Sequence, residues 1–176
     1  LMVHFKRAES RAELDQILHL QQRNLPASIP SEIKKTEGFV TVEHDFELLE
    51  QMNTACKHFI AVDNNQVIGY ALSMHPKFGD EIPILRPMFS EIKKRYTGTD
   101  FIVMGQICID KNYRKQGIFR RLYEEMLKGI RPEFDCVITE VDSKNTRSME
   151  AHYAIGFRKI STYVSDGHEW DLILLR

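Results

Sequence analysis

The sequence predicts a mixed α/β fold of the α+β kind, with a mostly antiparallel central sheet that contains one parallel strand pair and is flanked by helices. Three observations predict it. Residues 101–155 alternate strand, helix, strand, helix, and two strands joined through a helix lie parallel with a right-handed crossover. Residues 58–74 and 157–175 each hold two β-rich runs around a tight polar turn, the signal of an antiparallel hairpin. The length of 176 residues suits a single domain, 1–176, with a sizeable core.

In chain order, residues 2–7 read as a short strand. Ser10 and Glu13 have the spacing of a capping box, and Leu14, Ile17, Leu18 and Leu25 follow at helical spacing until Pro26 ends the helix. A second helix begins near Asp45, with Leu48, Leu49 and Met52 on one stripe. The run "HFIAVDNNQVIGYALSM" then gives two strands around Asp63, Asn64 and Asn65. Residues 76–100 break the rhythm. Pro76, Pro83 and Pro87, half of the chain's 6 prolines, fall here beside a short helix around 88–95. A long irregular insert of this kind is usually a functional loop or disordered, and this one is expected to wall an acceptor pocket and to move.

The apolar "FIVMGQICI" at 101–109 reads as a central strand. Ile118, Leu122 and Met126 mark a helix ended by Gly129 and Pro132. "CVITEV" at 136–141 is a second buried strand, and a helix runs from Asn145 to about Ile155. Two final strands flank Ser165, Asp166 and Gly167.

A hydrophobic fraction of 43% and a charged fraction of 28% are those of an ordinary soluble globular protein. A net charge of −1 argues against broad nucleic-acid binding, so any basic site must be local. No apolar run is long enough to span a bilayer and no signal-peptide pattern opens the chain, so no membrane association and a cytoplasmic location are expected. Leu1 ahead of Met2 is expected to be a cloning remnant. Cys56, Cys108 and Cys136 are widely spaced and odd in number, which indicates neither a disulfide framework nor a metal site. His4, His19, His44, His58, His75 and His168 show no ligand spacing either.

One stretch stands out. Lys111, Arg114, Lys115, Arg120 and Arg121 crowd around Gly117 where a strand hands over to a helix. The first turn of a helix carries unpaired N–H groups and the positive end of its dipole. Gly117 admits a close backbone approach, so the turn reads either as an anion site suited to phosphate or as a solvated helix start.

The stretch "ICIDKNYRKQGIFRRL" at 107–122 resembles the acyl-CoA-binding motif of the GNAT superfamily of N-acyltransferases. In that motif a Gln or Arg, two variable residues, Gly, one variable residue, and Gly or Ala wrap the pyrophosphate of coenzyme A. Arg114 and Gly117 match, after Tyr113, while Phe119 stands where Gly or Ala is usual. A later segment, "EVDSKNTRSMEAHYAIGF" at 140–157, resembles the family's Val, Asn and terminal Gly-Phe through Val141, Asn145, Gly156 and Phe157. The order of elements also fits the family along nearly the whole chain.

The resemblance implies a GNAT-like fold with a splayed parallel strand pair, and acetyl transfer from acetyl-CoA, without a metal, to a primary amine of a small molecule or peptide. Arg114, Lys115, Gln116, Gly117, Ile118 and Phe119 would hold the pyrophosphate, Ile107, Cys108 and Ile109 would meet the pantetheine arm, and Asn145 would lie near the cofactor while capping its helix. For the proton transfers the family often places a Tyr four residues before the Gly of Gly-Phe. His152 occupies that position and Tyr153 is its neighbour, some 100° away around a helix. A neutral imidazole there would relay a proton to the leaving thiolate or simply pack on the pantetheine. Glu140 matches a general base found in members that acetylate protein N-termini. Alternatively it pairs with a Lys or Arg across the sheet. Gln106 offers a site for positioning water. The competing function is a non-catalytic acyl-CoA sensor on the same fold, favoured by Phe119 and by the absence of Tyr at 152. The acceptor is left unassigned, and a homodimer is among the expected states of the chain.

Overall fold

Local signals decide where the elements begin. Ser10 accepts the Glu13 N–H while the Glu13 carboxylate accepts the Ser10 N–H, a reciprocal capping box that starts α1 (Arg11–Arg23). Asp45 caps α2 (Phe46–Ala55) through the Leu48 N–H. The structure, a computed structural model, describes residues 2–28 and 42–176, and Leu1 lies outside them. The chain divides into two compact units, Leu1–Ser73 with Gly105–Gly129 and Met74–Met104 with Ile130–Arg176.

The first unit is built on β1 (Val3–Arg7), β2 (Phe59–Asp63) and β3 (Gln66–Met74), of which β1–β2 and β2–β3 are antiparallel. Asn64 and Asn65, at φ 50° and 61°, make the two-residue turn expected between β2 and β3. The helix α5 (Ile118–Ile130) turns Leu122, Tyr123 and Met126 inward. Gly69 on β3 keeps room for Leu122 and Ile109, whose side chains would crowd a Cβ there. The sequence places the helix stop at Gly129 and Pro132, and the helix ends between them at Ile130. Gly129 is a contact residue: a Cβ there would come within 2.5 Å of the Phe59 ring, so the missing side chain is what lets that ring seat against the helix.

The second unit holds α4 (Arg86–Arg95), β5 (Cys136–Asp142), α6 (Thr146–Ala154), β6 (Arg158–Ser165) and β7 (His168–Leu175). Residues 76–100 are more regular than the sequence suggests. A short helix, α3 (Phe78–Glu81), and a 3-10 turn (Pro83–Leu85) precede α4. Pro83 and Pro87 fit at the starts of helical turns, where a missing N–H costs no bond. Met88, Phe89 and Ile92 of α4 are buried, with Phe89 6.4 Å from Phe101 between ring centroids.

The strand β4 (Phe101–Ile109) contributes its first half to the second unit and the rest to the first. Phe101–Val103 pair in parallel with Cys136–Ile138, and β7 pairs antiparallel with both β5 and β6. Among the described residues the strand order is β1-β2-β3-β4-β5-β7-β6, a mostly antiparallel seven-stranded sheet with one parallel pair, as the sequence predicts.

Candidate active site

The expected phosphate turn lies in the first unit, between β4 and α5. Asp110 opens it: its N–H donates to the Ile68 carbonyl at 2.8 Å, and its carboxylate accepts the Asn112 N–H at 2.9 Å. Asp110 also pairs with Arg23 at 3.2 Å, and the Tyr113 hydroxyl donates to Asp63 at 2.6 Å, so the turn is tied on two sides. Lys115 and Gly117 have φ of 62° and 79°. Left-handed residues of this kind beside a helix start turn successive N–H groups toward one concavity, the geometry of an anion-binding nest. A Cβ on Gly117 would meet nothing within 4 Å, so the glycine is required by its φ and the space outside it is open. Lys111, Lys115 and Gln116 are exposed around it.

Arg114 is turned the other way. Its guanidinium donates to the Ile109 carbonyl at 3.1 Å and to Asn24 at 2.8 Å, which anchors the turn to the end of α1. Arg121 stacks on Phe5, 4.4 Å from the ring centroid, and Phe119 packs edge-on against Tyr123 at 5.3 Å. With the Arg114 side chain engaged inward, the groups this turn leaves facing outward are the backbone around Gly117 and the exposed Lys111 and Lys115 side chains. A cleft of about 490 Å³ beside the turn is lined by Arg23, Asn24, Asp110, Lys111 and Asn112, among others.

Burial lapses in the middle of β4, at Gly105, Gln106 and Ile107, and resumes at Cys108 and Ile109. Burial pushes the Cys108 thiol up to about 12, so it is a packed apolar group and not a nucleophile. Gln106 is the centre of a polar network. Its amide oxygen accepts from the Tyr70 hydroxyl at 2.7 Å and from Gln21 at 2.8 Å, and its amide nitrogen donates to the Val42 carbonyl at 2.9 Å. Gln21 also donates to His44 Nδ1 and accepts the His44 N–H, each at 2.8 Å. Gln106 is thus engaged with protein groups on both ends of its amide. Gln21, Tyr70, His44 and Asn24 carried no signal in the sequence, since each bonds a residue far away along the chain.

The proton-handling candidates lie in the second unit. Glu140 is half-buried on β5, between buried Thr139 and buried Val141 and just after the apolar run Cys136–Ile138. Burial raises its carboxyl to about 7. Its partner is the Tyr163 hydroxyl, donated from β6, and not the Lys or Arg weighed as an alternative from the sequence. Asn145 caps α6 by accepting the Ser148 N–H at 3.2 Å. His152 on α6 is 3% exposed, edge-on to Phe157 at 5.1 Å, whereas Tyr153 is 42% exposed. Burial lowers the His152 imidazole, and its Nδ1 lies 2.7 Å from the Ser148 carbonyl, so the ring is neutral with Nδ1–H donating and Nε2 the acceptor. Among the described residues, no group of three or more His, Cys, Asp or Glu side chains converges as a metal site. No helix among them is long and apolar enough to cross a membrane.

A sequence model of the acetyltransferase (GNAT) family matches residues 14–157. No curated protein sequence matches the chain. Among solved structures, the ribosomal-protein-S18-alanine N-acetyltransferase of Escherichia coli is 14% identical with a TM-score of 0.64, over 99% of this chain and 93% of that one. The structure of yncA from Salmonella typhimurium, solved with acetyl-CoA, is 13% identical at a TM-score of 0.65, over 100% and 94%. A chain of the NatC complex, bound to Gag peptide and CoA, is 15% identical at a TM-score of 0.69, over 99% and 98%.

Proposed function

Since the chain belongs to the GNAT family of acetyltransferases, we propose that it moves the acetyl group of acetyl-CoA to a primary amine by direct attack in a ternary complex. The acceptor class is a small molecule or a peptide. A peptide is supported by the NatC neighbour, which was solved with one.

The observation that carries this reading is Glu140, a carboxylate just after the apolar run Cys136–Ile138 whose burial brings it to about 7. A general base is most effective when its pKa lies near the working pH. The turn at 114–119 supplies backbone N–H groups to the cofactor's pyrophosphate, and the open space beside Gly117 fits that use. Acetyl-CoA brings a thioester, whose carbonyl carbon an amine attacks while the carbon–sulfur bond breaks and coenzyme A leaves as the thiolate. Glu140 takes the proton that the amine nitrogen gives up. His152 takes a proton from solvent at its acceptor nitrogen Nε2 and passes it to the departing thiolate, which leaves the ring neutral again. Tyr153, exposed one step round the helix, is the alternative proton donor. Ile107, Cys108 and Ile109 line the pantetheine arm in this reading, and Asn145 fixes the start of the helix that carries His152.

A general base is worth at least a hundredfold in rate, about 3 kcal/mol. Glu140→Gln is therefore expected to lower turnover by that order and to leave acetyl-CoA affinity unchanged. Near-normal turnover in this variant would make the carboxylate structural and leave bulk water as the base.

A further inference from the structure

The Tyr163 hydroxyl donates to the Glu140 carboxylate, although the two residues sit on strands that do not touch. Glu140 on β5 is opposite Leu172 of β7, and Tyr163 on β6 is opposite Trp170 of β7. Side chains two apart on a strand share a face, so Glu140, Leu172, Trp170 and Tyr163 all lie on one face of the sheet. The phenol reaches across β7 to meet the carboxylate on the next strand. A tyrosine placed for packing alone has no need to aim its hydroxyl at a half-buried acid. An acid in such surroundings needs a donor, because a buried carboxylate without one loses its charge.

We propose that Tyr163 is a positioning residue for the transfer reaction, holding the Glu140 carboxylate in one orientation and in its charged, proton-accepting form. The inference rests on the reading of Glu140 as the base. A hydrogen bond donated to a carboxylate favours the ionised state, so Tyr163 opposes the effect of burial. Among the described residues the other charged groups on that face are exposed or engaged elsewhere, and Arg158, opposite Leu174 at the start of β6, is exposed. Asp142, two residues along β5, is bonded to His168 of β7 at 2.8 Å and to the Lys144 N–H at 2.9 Å. Glu91 of α4 accepts from Ser161 of β6 at 2.5 Å and pairs with Arg95 at 3.1 Å. Asp171 and Lys159 meet each other at 3.9 Å from the register positions that alternate with these. Tyr163 is the residue whose hydrogen bond Glu140 receives.

The test is the protonation midpoint of Glu140, read by carbon NMR of the full chain labelled at glutamate carboxyls and assigned with Glu140→Gln. The same samples give the pH dependence of kcat. Tyr163→Phe keeps the ring and removes the donor. Its Glu140 midpoint is expected to rise by roughly one pH unit, the size of shift that a hydrogen bond to the charged form produces. The acid limb of the kcat profile should rise with it, which makes turnover about tenfold lower on that limb, with KM for acetyl-CoA unchanged and kcat restored above the limb. Tyr163→fluorotyrosine, a near-isosteric and stronger donor, should move both readouts the other way. A Glu140 midpoint that is the same in all three proteins overturns the proposal. So does a midpoint that moves while the kinetic limb stays in place. Parent-level turnover in Glu140→Gln instead overturns the base assignment beneath it, whatever the NMR midpoints are.

Discussion

His152 Nδ1 lies 2.7 Å from the carbonyl oxygen of Ser148, one turn earlier on the same helix. That bond assigns the tautomer: Nδ1 carries the proton and Nε2 is the acceptor nitrogen. Burial also lowers the imidazole, so the ring is neutral at pH 7 and gains a proton only below its ordinary range.

The helix register separates His152 from Tyr153, and their burial differs accordingly, 3% against 42% exposed. His152→Phe is expected to lower turnover less than Glu140→Gln does, and to remove any rate dependence on a group titrating below pH 6.5. Tyr153→Phe should keep parent turnover. Steady-state kinetics between pH 5 and 9 decides it, and a large loss in Tyr153→Phe beside a mild one in His152→Phe would reverse the two assignments.

Gly117 has φ of 79° with open space where a Cβ would go. Gly117→Glu places bulk and negative charge where the pyrophosphate would sit and should abolish acetyl-CoA binding. Gly117→Ala has only the left-handed backbone penalty, roughly 1–2 kcal/mol, and should weaken binding while the chain stays folded. Calorimetric titration with acetyl-CoA, alongside circular dichroism, measures both. Unchanged affinity in Gly117→Glu would remove the turn from the cofactor site.

His58 is fully buried, with Nδ1 accepting the Ser73 N–H at 3.0 Å and Nε2 3.0 Å from the Leu49 carbonyl. Burial lowers it from 6.5 to about 4. The unfolded chain therefore takes up a proton first as pH falls, and folding stability drops between pH 6.5 and about 4. The loss is about 3 kcal/mol when complete. His44 and His152 are lowered by burial too, and add to the slope in the same direction. Denaturant unfolding of the parent and His58→Gln at pH 7 and pH 5 should show a shallower pH slope in the variant. Equal slopes would assign the effect to the other two histidines.

The legible parts of this fold are the local ones. Ser10, Asp45 and Asn145 cap helices because each bonds an N–H three residues on. The hairpin turns at Asn64–Asn65 and Asp166–Gly167 are set by residues that tolerate positive φ. Prolines between 76 and 100 misled because Pro83 and Pro87 start helical turns instead of breaking them. Gly129 and Pro132 bracket the end of α5 at Ile130, but the clearance that Gly129 gives the Phe59 ring depends on a residue far away along the chain and leaves no local trace. The site follows the same division. Gly117 and Glu140 stand out by type and place, whereas Tyr163 lies 23 residues from Glu140, and Gln106 lies 85 from Gln21. A partner at that separation leaves no periodic trace.

The claim that this chain is a working acetyltransferase is tested most directly by thiol release. The purified chain is mixed with acetyl-CoA and, one at a time, with a panel of small amines and peptides bearing free N-termini, and free thiol is followed with the acetylated product identified by mass spectrometry. Amine-dependent thiol release matched by an equal amount of acetylated amine is expected, about a hundredfold slower in Glu140→Gln. Tight acetyl-CoA binding with no amine-dependent release across the panel would contradict it and make the chain an acyl-CoA sensor.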